Sequence, residues 1–353
     1  MQTRIDRLRE HFPDADAVLV TSYVSRFWAS GFAASAGAVI VTKKTAHFIA
    51  DSRYIEAVTA RVTSMTSIPM EGLVEEETAK LIRTLGAKRV AFEDCAMTVA
   101  EFAGFQKAMP EVEFVPLGET IARLRAVKDE TEVAYVRRAQ DITERSFAQL
   151  LPYIKVGVTE REIAKRLEIL MLENGSDGPA FETICVGGPN ASMPHGVPGE
   201  RPLADGDFLT MDFGATWRGY KSDMTRTVAI GHVTDEMRRV YDTVLAAQEA
   251  AIAAVKAGVI GRDIDKVARD LIGEAGYGGN FGHGLGHSFG IEIHENPRFS
   301  PRCTDAVPAG CLITVEPGVY LPGKFGVRIE DDLLVTEAGC ENLTHAPKAL
   351  LVL

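Results

Sequence analysis

The chain has 353 residues, of which 46% are hydrophobic and 25% are charged, a composition typical of a folded globular protein rather than a disordered or fibrous one. At about 150 residues per domain, this length predicts two domains, or one large one. The 38 basic and 49 acidic residues give a formal net charge of −11. This charge argues against nucleic acid or an anionic membrane as a partner, because phosphate groups attract basic proteins.

The cysteines and the N-terminal segment favour a cytoplasmic protein. Five cysteines without any C-x-x-C spacing indicate reduced thiols rather than a disulfide framework or a zinc site. The N-terminal segment has no apolar signal-peptide core, and no run of residues approaches the ~18 apolar residues of a membrane span. We therefore expect a cytoplasmic location and no membrane segment.

The first third of the chain alternates strand-type and helix-type runs. β-branched residues cluster between polar breaks in the strand-type runs, and apolar residues recur at helical spacing in the others. The predicted strands are residues 17–22, 38–41, 47–50, 89–93 and 113–116, and the predicted helices are residues 54–62, 75–85 and 99–109. This alternation predicts a small α/β domain with a parallel or mixed sheet, ending near Leu124.

The remainder of the chain repeats one order of elements: two helices, a loop with histidine and a pair of strands. The first copy has predicted helices at 129–154 and 159–173, a loop at 186–199 and a hairpin of strands 208–216 and 221–230; the second has helices at 235–257 and 263–275, a glycine-rich loop, and strands 312–316 and 326–336. Thr159 and Glu162 have the spacing of a capping box. A duplication of this kind predicts two similar halves with a cleft between them.

Two aspartates in the predicted hairpin are the first candidate site residues. Asp212 and Asp223 lie almost symmetrically about the break at residues 217–219. In a regular hairpin their carboxylates would stand opposite each other, with Cβ atoms roughly 5 Å apart. Repulsion between them in apolar surroundings would be relieved by a divalent cation. Exposure of one or both aspartates to solvent is the alternative for such a pair taken alone.

Two glutamates in the second copy favour a cation site over solvent-exposed aspartates. Glu316 ends an apolar run at a Pro-Gly turn, and strand ends commonly carry functional groups. Arg328 and Glu330 share a strand face by alternation. They fit either a structural ion pair or a metal-bound glutamate whose orientation the arginine fixes.

Three histidines, His283, His287 and His294, occur in one glycine-rich segment. Its glycines disfavour a helix, so we expect a loop whose backbone approaches a site closely. The glycine spacing does not match dinucleotide- or phosphate-binding loops. Solvated loop histidines are the alternative interpretation.

Four carboxylates and one imidazole form an oxygen-rich ligand set. Such a set is suited to a pair of hard or borderline divalent ions such as Mn²⁺. It does not resemble the thiolate ligand set of a structural zinc site. Two such ions can activate water for attack on a carbonyl and stabilise the oxyanion that forms. The other histidines would stabilise the tetrahedral intermediate and move protons. The predicted chemistry is metal-assisted hydrolysis of an amide.

The motifs MDFG, SDMTRT, GHGLGHSFGIEIHE, TVEPGVY and GVRIEDD occur in this order. They resemble those of the pita-bread metallopeptidases, above all the proline-specific branch of Xaa-Pro aminopeptidases and Xaa-Pro dipeptidases (prolidases). The resemblance implies a creatinase-like α/β N-terminal domain over residues 1–124 and an α+β pita-bread catalytic domain with pseudo-two-fold halves over 125–353. It also implies a homodimer that cleaves the bond between an N-terminal residue and proline in dipeptides or short peptides.

The resemblance further implies two divalent ions, with Mn²⁺ expected and Co²⁺ or Zn²⁺ as alternatives. The implied metal ligands are Asp212, Asp223, His287, Glu316 and Glu330. Asp223 and Glu330 would bridge the ions. Glu316 would also be the general acid/base that exchanges protons with the attacking water.

The remaining implied roles concern the substrate. His195, in the MPHG sequence of the loop before the hairpin, would contact the substrate near the scissile amide. His283 and His294 would bind the carbonyl and the proline side, and Arg328 would lie beside the last ligand. Arg298 is similar to the arginine with which prolidases bind the free carboxylate of a dipeptide; a surface arginine is its alternative. The alternatives for the whole chain are a metal-independent creatinase-like amidinohydrolase and a non-catalytic peptide-binding relative.

Overall fold

The computed structural model describes residues 3–12 and 14–353, so residues 1, 2 and 13 of the predicted first domain lie outside the described part. The chain divides into two compact units, of which the first ends at Arg125 and the second comprises Ala126–Leu353. Within the described ranges, no helix has the length and apolar character that a membrane-spanning segment requires.

The first unit contains a mixed six-stranded sheet. Its strands are β1 Ala17–Val20, β2 Ala38–Thr42, β3 Ala46–Ala50, β4 Thr66–Pro69, β5 Arg89–Phe92 and β6 Glu113–Pro116. Its helices are α1 Arg4–Glu10, α2 Tyr23–Ser30, α3 Ile55–Arg61, α4 Val74–Leu85, α5 Val99–Ala108 and α6 Thr120–Ala126. The strand order is β4-β3-β2-β1-β5-β6, with β1 antiparallel to β2 and parallel to β5. The α/β prediction for this segment is confirmed.

The predicted strand at 17–22 is two residues too long. It ends at Val20 because Ser22 begins a helix: the Ser22 side chain accepts a hydrogen bond from the Ser25 N–H and caps α2. A serine at this position satisfies a backbone donor that the first turn of a helix leaves free. Helices α1 and α2, of seven and eight residues, were not predicted from the sequence.

Four helices organise the second unit: α7 Glu130–Leu150, α8 Glu160–Glu173, α9 Asp235–Ala254 and α10 Gly261–Glu274. The capping box predicted for α8 is confirmed, because the Thr159 side chain accepts from the Glu162 N–H and the Glu162 side chain accepts from the Thr159 N–H. Helix α7 is shorter than predicted and continues as a 3₁₀ turn at Leu151–Tyr153. Pro152 has no N–H with which to continue the α-helical ladder.

The strands of the second unit form several small sheets. They are β7 Gly178–Pro179, β8 Ile184–Gly187, β9 Phe208–Phe213, β10 Ala215–Trp217, β11 Tyr220–Lys221, β12 Met224–Ala229, β13 Gly286–Ser288, β14 Glu295–Phe299, β15 Leu312–Val315, β16 Gly318–Leu321, β17 Phe325–Arg328, β18 Asp331–Val335 and β19 Cys340–Asn342. The sheets are ordered β12-β9-β8, β11-β10-β7, β14-β13-β15-β18-β19 and β16-β17.

Each copy of the repeated order has a core of its own. Helices α7 and α8 contribute Ile142 and Leu167 to one apolar cluster, which includes Met211 of β9. Helices α9 and α10 contribute residues such as Val244 to a second cluster, which includes Ile313 of β15. The two copies are therefore two packed halves of one unit, as the duplication predicts.

The turn of the aspartate hairpin lies one residue later than its predicted centre. Trp217 pairs with Tyr220, so Arg218 and Gly219 form a two-residue turn. Their φ angles are 50° and 80°, which is the left-handed combination that a type I′ hairpin turn requires.

The prediction that Asp212 and Asp223 stand directly opposite each other is therefore wrong. Asp212 pairs with Thr225, two residues beyond Asp223. Because side chains alternate faces with a period of two, Asp223 and Thr225 are on the same side of the strand. The two aspartates are diagonal neighbours on one face, where side chains are still close enough to share a ligand.

Two other predictions in the second half need correction. The glycine-rich histidine segment was expected to be a loop, but Gly286–Ser288 forms β13; a Cβ at Gly286 would lie 2.0 Å from the Thr314 carbonyl oxygen, so only glycine allows this close approach to β15. The single strand predicted at 326–336 is two strands, β17 and β18. The chain leaves one sheet and enters another at Ile329 and Glu330, where no glycine or proline marks the break in the sequence.

Candidate metal centre

A cavity of about 510 Å³ lies in the second unit. All ten residues singled out from the sequence line it: His195, Asp212, Asp223, His283, His287, His294, Arg298, Glu316, Arg328 and Glu330. They come from both halves of the unit. The site residues, which are separated by up to 135 positions in the chain, thus share one space.

The four acids reach the cavity from the ends of strands. Asp212 is the penultimate residue of β9, Asp223 immediately precedes β12, Glu316 follows β15 and Glu330 follows β17. The apolar strands carry them into the interior, where Asp212 is 9%, Asp223 4% and Glu330 1% exposed. Burial of so many carboxylates is costly unless positive charge compensates them.

His287 in β13 is oriented for a ligand at one ring nitrogen. Its Nδ1–H donates to the Ser288 carbonyl at 3.2 Å. The other nitrogen, Nε2, lies 3.6 Å from Asp223 Oδ2 and 3.5 Å from Glu316 Oε1. Metal-binding histidines are commonly held in this way, because a backbone carbonyl at one nitrogen fixes the tautomer that leaves the other free to bind.

These side chains fit a divalent cation. Ligand atoms of Asp223, His287 and Glu330 lie within 4.8 Å of one another. Oδ1 of Asp212 and Oδ1 of Asp223 are buried, and neither has a hydrogen-bond partner in the described part of the chain. An unpaired buried acceptor costs free energy that a bound cation removes. Carboxylate oxygens with one imidazole suit a hard or borderline ion.

The electrostatics of the protein alone point the same way. Burial, followed by repulsion from neighbouring acids, raises the pKa of Asp223 well above its ordinary range. The pKa of Glu330 is also raised well above normal, first by burial and then by Glu316 and Asp212. Burial raises the pKa of Glu316 to about 8, although Arg328 opposes this shift. A cation among these groups would favour their ionised forms.

Arg328 connects two of the acids. Its buried guanidinium donates from Nη2 to Asp212 Oδ2 at 2.5 Å and from Nε to Thr225 Oγ1 at 3.1 Å. The Thr225 hydroxyl donates to Glu330 Oε2 at 2.6 Å. The ion pair of Arg328 is thus with Asp212, and its link to Glu330 runs through threonine. Of the two interpretations left open by the sequence, this arrangement favours the arginine that orients acidic ligands.

Tyr320 is a site residue that sequence reasoning missed. Its hydroxyl accepts from Arg328 Nη1 at 2.8 Å and lies 2.8 Å from His283 Nε2. His283 Nδ1 lies 2.8 Å from the Gly284 carbonyl and must donate to it, so Nε2 accepts the tyrosine proton. Burial lowers the pKa of His283 to about 4, consistent with a neutral ring. The available signal was a lone hydroxyl in the apolar strand after Glu316.

Three candidate substrate residues line the cavity with exposed side chains: His195, His294 and Arg298. The His294 ring packs edge-on against the His287 ring at 4.5 Å between centroids. Arg298, in β14, is the strand partner of His287. The cavity therefore offers imidazole and guanidinium groups beside the acidic cluster, which suits a polar substrate with an anionic end.

A buried acidic cluster with one imidazole, between two similar halves and beside open histidines, defines a metal-dependent hydrolase. The chain belongs to Metallopeptidase family M24, which it matches over residues 134–337, and residues 4–127 match the Creatinase/Prolidase N-terminal domain. The resemblance and the fold class predicted from the sequence are confirmed, and the chain is a metallopeptidase.

Relatives of known fold or name cover nearly the whole chain. An Xaa-Pro dipeptidase of Pyrococcus horikoshii is 33% identical over 95% of this chain and 94% of its own. The structure of an Xaa-Pro dipeptidase from Bacillus anthracis matches with a TM-score of 0.96 at 38% identity, covering 99% of both chains. An X-Pro aminopeptidase from Thermotoga maritima matches with a TM-score of 0.93 at 37% identity, covering 98% of this chain and 99% of its own.

Proposed function

We propose that this chain hydrolyses the peptide bond between an N-terminal residue and proline, using two divalent ions, with Mn²⁺ as the first choice. The observation that carries the proposal is the buried cluster of four acids and His287, in which Asp212 and Asp223 each keep a buried oxygen without a hydrogen-bond partner in the described residues. The Xaa-Pro enzymes among its relatives support the substrate class.

Five residues would hold the ions: Asp212, Asp223, His287, Glu316 and Glu330. When bound, the ions supply water activation and stabilise negative charge on the attacked carbonyl. Glu316 would move a proton from the attacking water towards the leaving nitrogen. Arg328 keeps Asp212 in place and, through Thr225, orients Glu330.

The other residues of the cavity would bind the peptide. His195 and His294 are exposed to the cavity and would contact the substrate beside the scissile bond. His283 would also contact the substrate if its hydrogen bond to the Tyr320 hydroxyl is replaced by one to the peptide. The bond before proline is a tertiary amide, and the proline ring fixes φ. A dedicated cavity that positions both sides of this bond is therefore needed.

Arg298 bears on the length of the substrate. Because its guanidinium lines the cavity, it could pair with the free carboxylate of an Xaa-Pro dipeptide. Such a charged hydrogen bond contributes about 1.5–3 kcal/mol. We therefore propose a preference for dipeptides over longer Xaa-Pro peptides.

The test compares hydrolysis of an Xaa-Pro dipeptide and an Xaa-Pro-Xaa tripeptide by the wild type and by Arg298→Ala. We expect the variant to lose roughly 10- to 100-fold in kcat/KM for the dipeptide and much less for the tripeptide. Arg302→Ala is the matched control, because Arg302 is an exposed arginine outside the cavity lining.

Each outcome has a distinct meaning for the proposal. An unchanged dipeptide-to-tripeptide ratio in Arg298→Ala would remove the preference for dipeptides. Failure of the metal-loaded wild type to cleave either peptide would refute the Xaa-Pro specificity itself.

The domain boundary near Leu124, the homodimer and the cytoplasmic location stay predictions from the sequence.

A further inference from the structure

The loop that carries His195 follows β8, spans residues 188–199 and contributes five consecutive residues, 194–198, to the cavity lining. His195 itself is exposed and makes no hydrogen bond within the described part of the chain. Its position relative to the acidic cluster therefore depends on how the loop backbone is held.

One buried carboxylate holds both ends of this loop. Glu160, the first residue of α8, is 0% exposed. Its Oε1 accepts from the Gly187 N–H at 2.8 Å and from Asn190 Nδ2 at 3.0 Å. Its Oε2 accepts from the Gly199 N–H at 3.0 Å. One side chain thus bonds to both the start and the end of the loop.

The contacts require a carboxylate rather than an amide. All three partners are N–H donors, and both carboxylate oxygens accept. A glutamine has one oxygen and one NH₂ group, so it could serve the Gly187 end or the Gly199 end but not both. The donor facing its NH₂ group would lose its acceptor, which weakens the hold on that end of the loop.

The second half holds its own histidine loop from the corresponding helix. In α10, Asp265 accepts from the Leu285 N–H at 3.0 Å and pairs with Arg269 through two hydrogen bonds of 2.8 and 2.9 Å. Arg269 in turn donates to the Phe281 and His283 carbonyls at 2.9 and 2.8 Å. Charged residues of the second helix thus fix a histidine-bearing backbone in each half.

We propose that Glu160 is a positioning residue for the reaction, acting through His195. By tying residues 187, 190 and 199 to the start of α8, it sets the place from which His195 contacts the peptide. This inference rests on the proposed function, in which His195 lies beside the scissile bond. It assigns a role to a buried acid that is outside the cavity lining.

The experiment uses the metal-loaded full chain and an Xaa-Pro dipeptide, with Glu160→Gln as the main variant. We expect kcat to fall about 10-fold or more, because small displacements of a contacting group are costly, while the bound metal content stays at the wild-type level. Glu162→Gln is the matched control. Glu162 lies in the same helical turn, and among the described residues its carboxylate bonds only to Thr159, so this variant should keep the wild-type kcat.

A double-mutant cycle separates positioning from general damage. If Glu160 acts through His195, then Glu160→Gln should lower kcat little or not at all in a His195→Ala background. Full additivity of the two losses, loss of metal in Glu160→Gln, or an unchanged kcat would each overturn the proposal. Asn190→Ala is a milder second variant, which should show a smaller loss in the same direction.

Amide hydrogen exchange tests the role of Glu160 independently of the proposed Xaa-Pro peptidase function. Amide exchange at Gly187 or Gly199, whichever faces the glutamine NH₂ group, should be faster in Glu160→Gln than in the wild type. Exchange at both amides should be unchanged in Glu162→Gln, whatever the substrate is. If the wild type does not cleave the dipeptide, the proposed function fails, whereas this result would still report on the loop. Unchanged exchange in Glu160→Gln would overturn the inference about Glu160 alone.

Discussion

The Tyr320 hydroxyl is the point at which two groups of the site meet. It accepts from Arg328 and donates to His283, so it relates the arginine that holds Asp212 to a histidine of the glycine-rich segment. Neither hydrogen bond can be inferred from spacing along the chain. They depend on the way β16 and β17 pair, which places Gly318 opposite Arg328.

Removal of this hydroxyl tests its role. In Tyr320→Phe, Arg328 and His283 each lose a partner in a buried environment. We expect the free energy of unfolding to fall by about 1–3 kcal/mol and kcat/KM for an Xaa-Pro dipeptide to fall roughly 10-fold, as expected when catalytic groups lose their orientation. Urea unfolding and steady-state hydrolysis measure the two effects.

Tyr220→Phe is the matched control. Tyr220 is also a buried tyrosine, 2% exposed, and its hydroxyl donates to Glu132 at 2.8 Å, away from the cavity lining. This variant should lose stability but retain kcat/KM. Equal losses of activity in the two variants would contradict a specific role for Tyr320.

At the level of elements, the hairpin of β9 to β12 shows what the sequence can and cannot predict. The turn and both strands were predictable from Gly219 and the apolar runs around it. The register was not, because it depends on which residues form the turn. The two-residue turn is at Arg218 and Gly219, one residue later than a direct pairing of the two aspartates requires. This shifts the partner of Asp212 by two positions, to Thr225, and leaves both aspartates on one face.

Gly219→Ala tests the contribution of this turn. At a φ of 80°, an added Cβ is strained by about 1–2 kcal/mol, so we expect the free energy of unfolding to fall by about that amount. Gly273→Ala is the control, because Gly273 lies in α10 with open space around its Cβ position. There alanine should stabilise the helix by about 0.5–1 kcal/mol, as measured by urea unfolding. Equal effects of the two substitutions would contradict the turn assignment.

For the whole molecule, the sequence predicted the class and the fold because five motifs occur in order between residues 211 and 332. The ten candidate site residues share one cavity, although they come from both halves of the second unit. The residues that were missed, Thr225, Tyr320 and Glu160, act on other side chains or on backbone groups. Their roles come from packing between distant elements, which no local pattern of the sequence reports.

Part of the net negative charge of the molecule is located in the cavity. Four of the acidic residues behind the net charge of −11 lie in one cavity, where burial and mutual repulsion raise the pKa of Asp223, Glu316 and Glu330. We therefore expect a cation to be required both for activity and for the stability of this cavity.

Metal removal and restoration test this requirement most directly. The full chain is stripped with a chelator, its metal content is measured by elemental analysis, and hydrolysis of an Xaa-Pro dipeptide is followed before and after addition of Mn²⁺. We expect the stripped protein to have no activity above background and Mn²⁺ to restore activity as two ions bind per chain. Full activity in protein shown to be free of metal would refute the requirement for a cation.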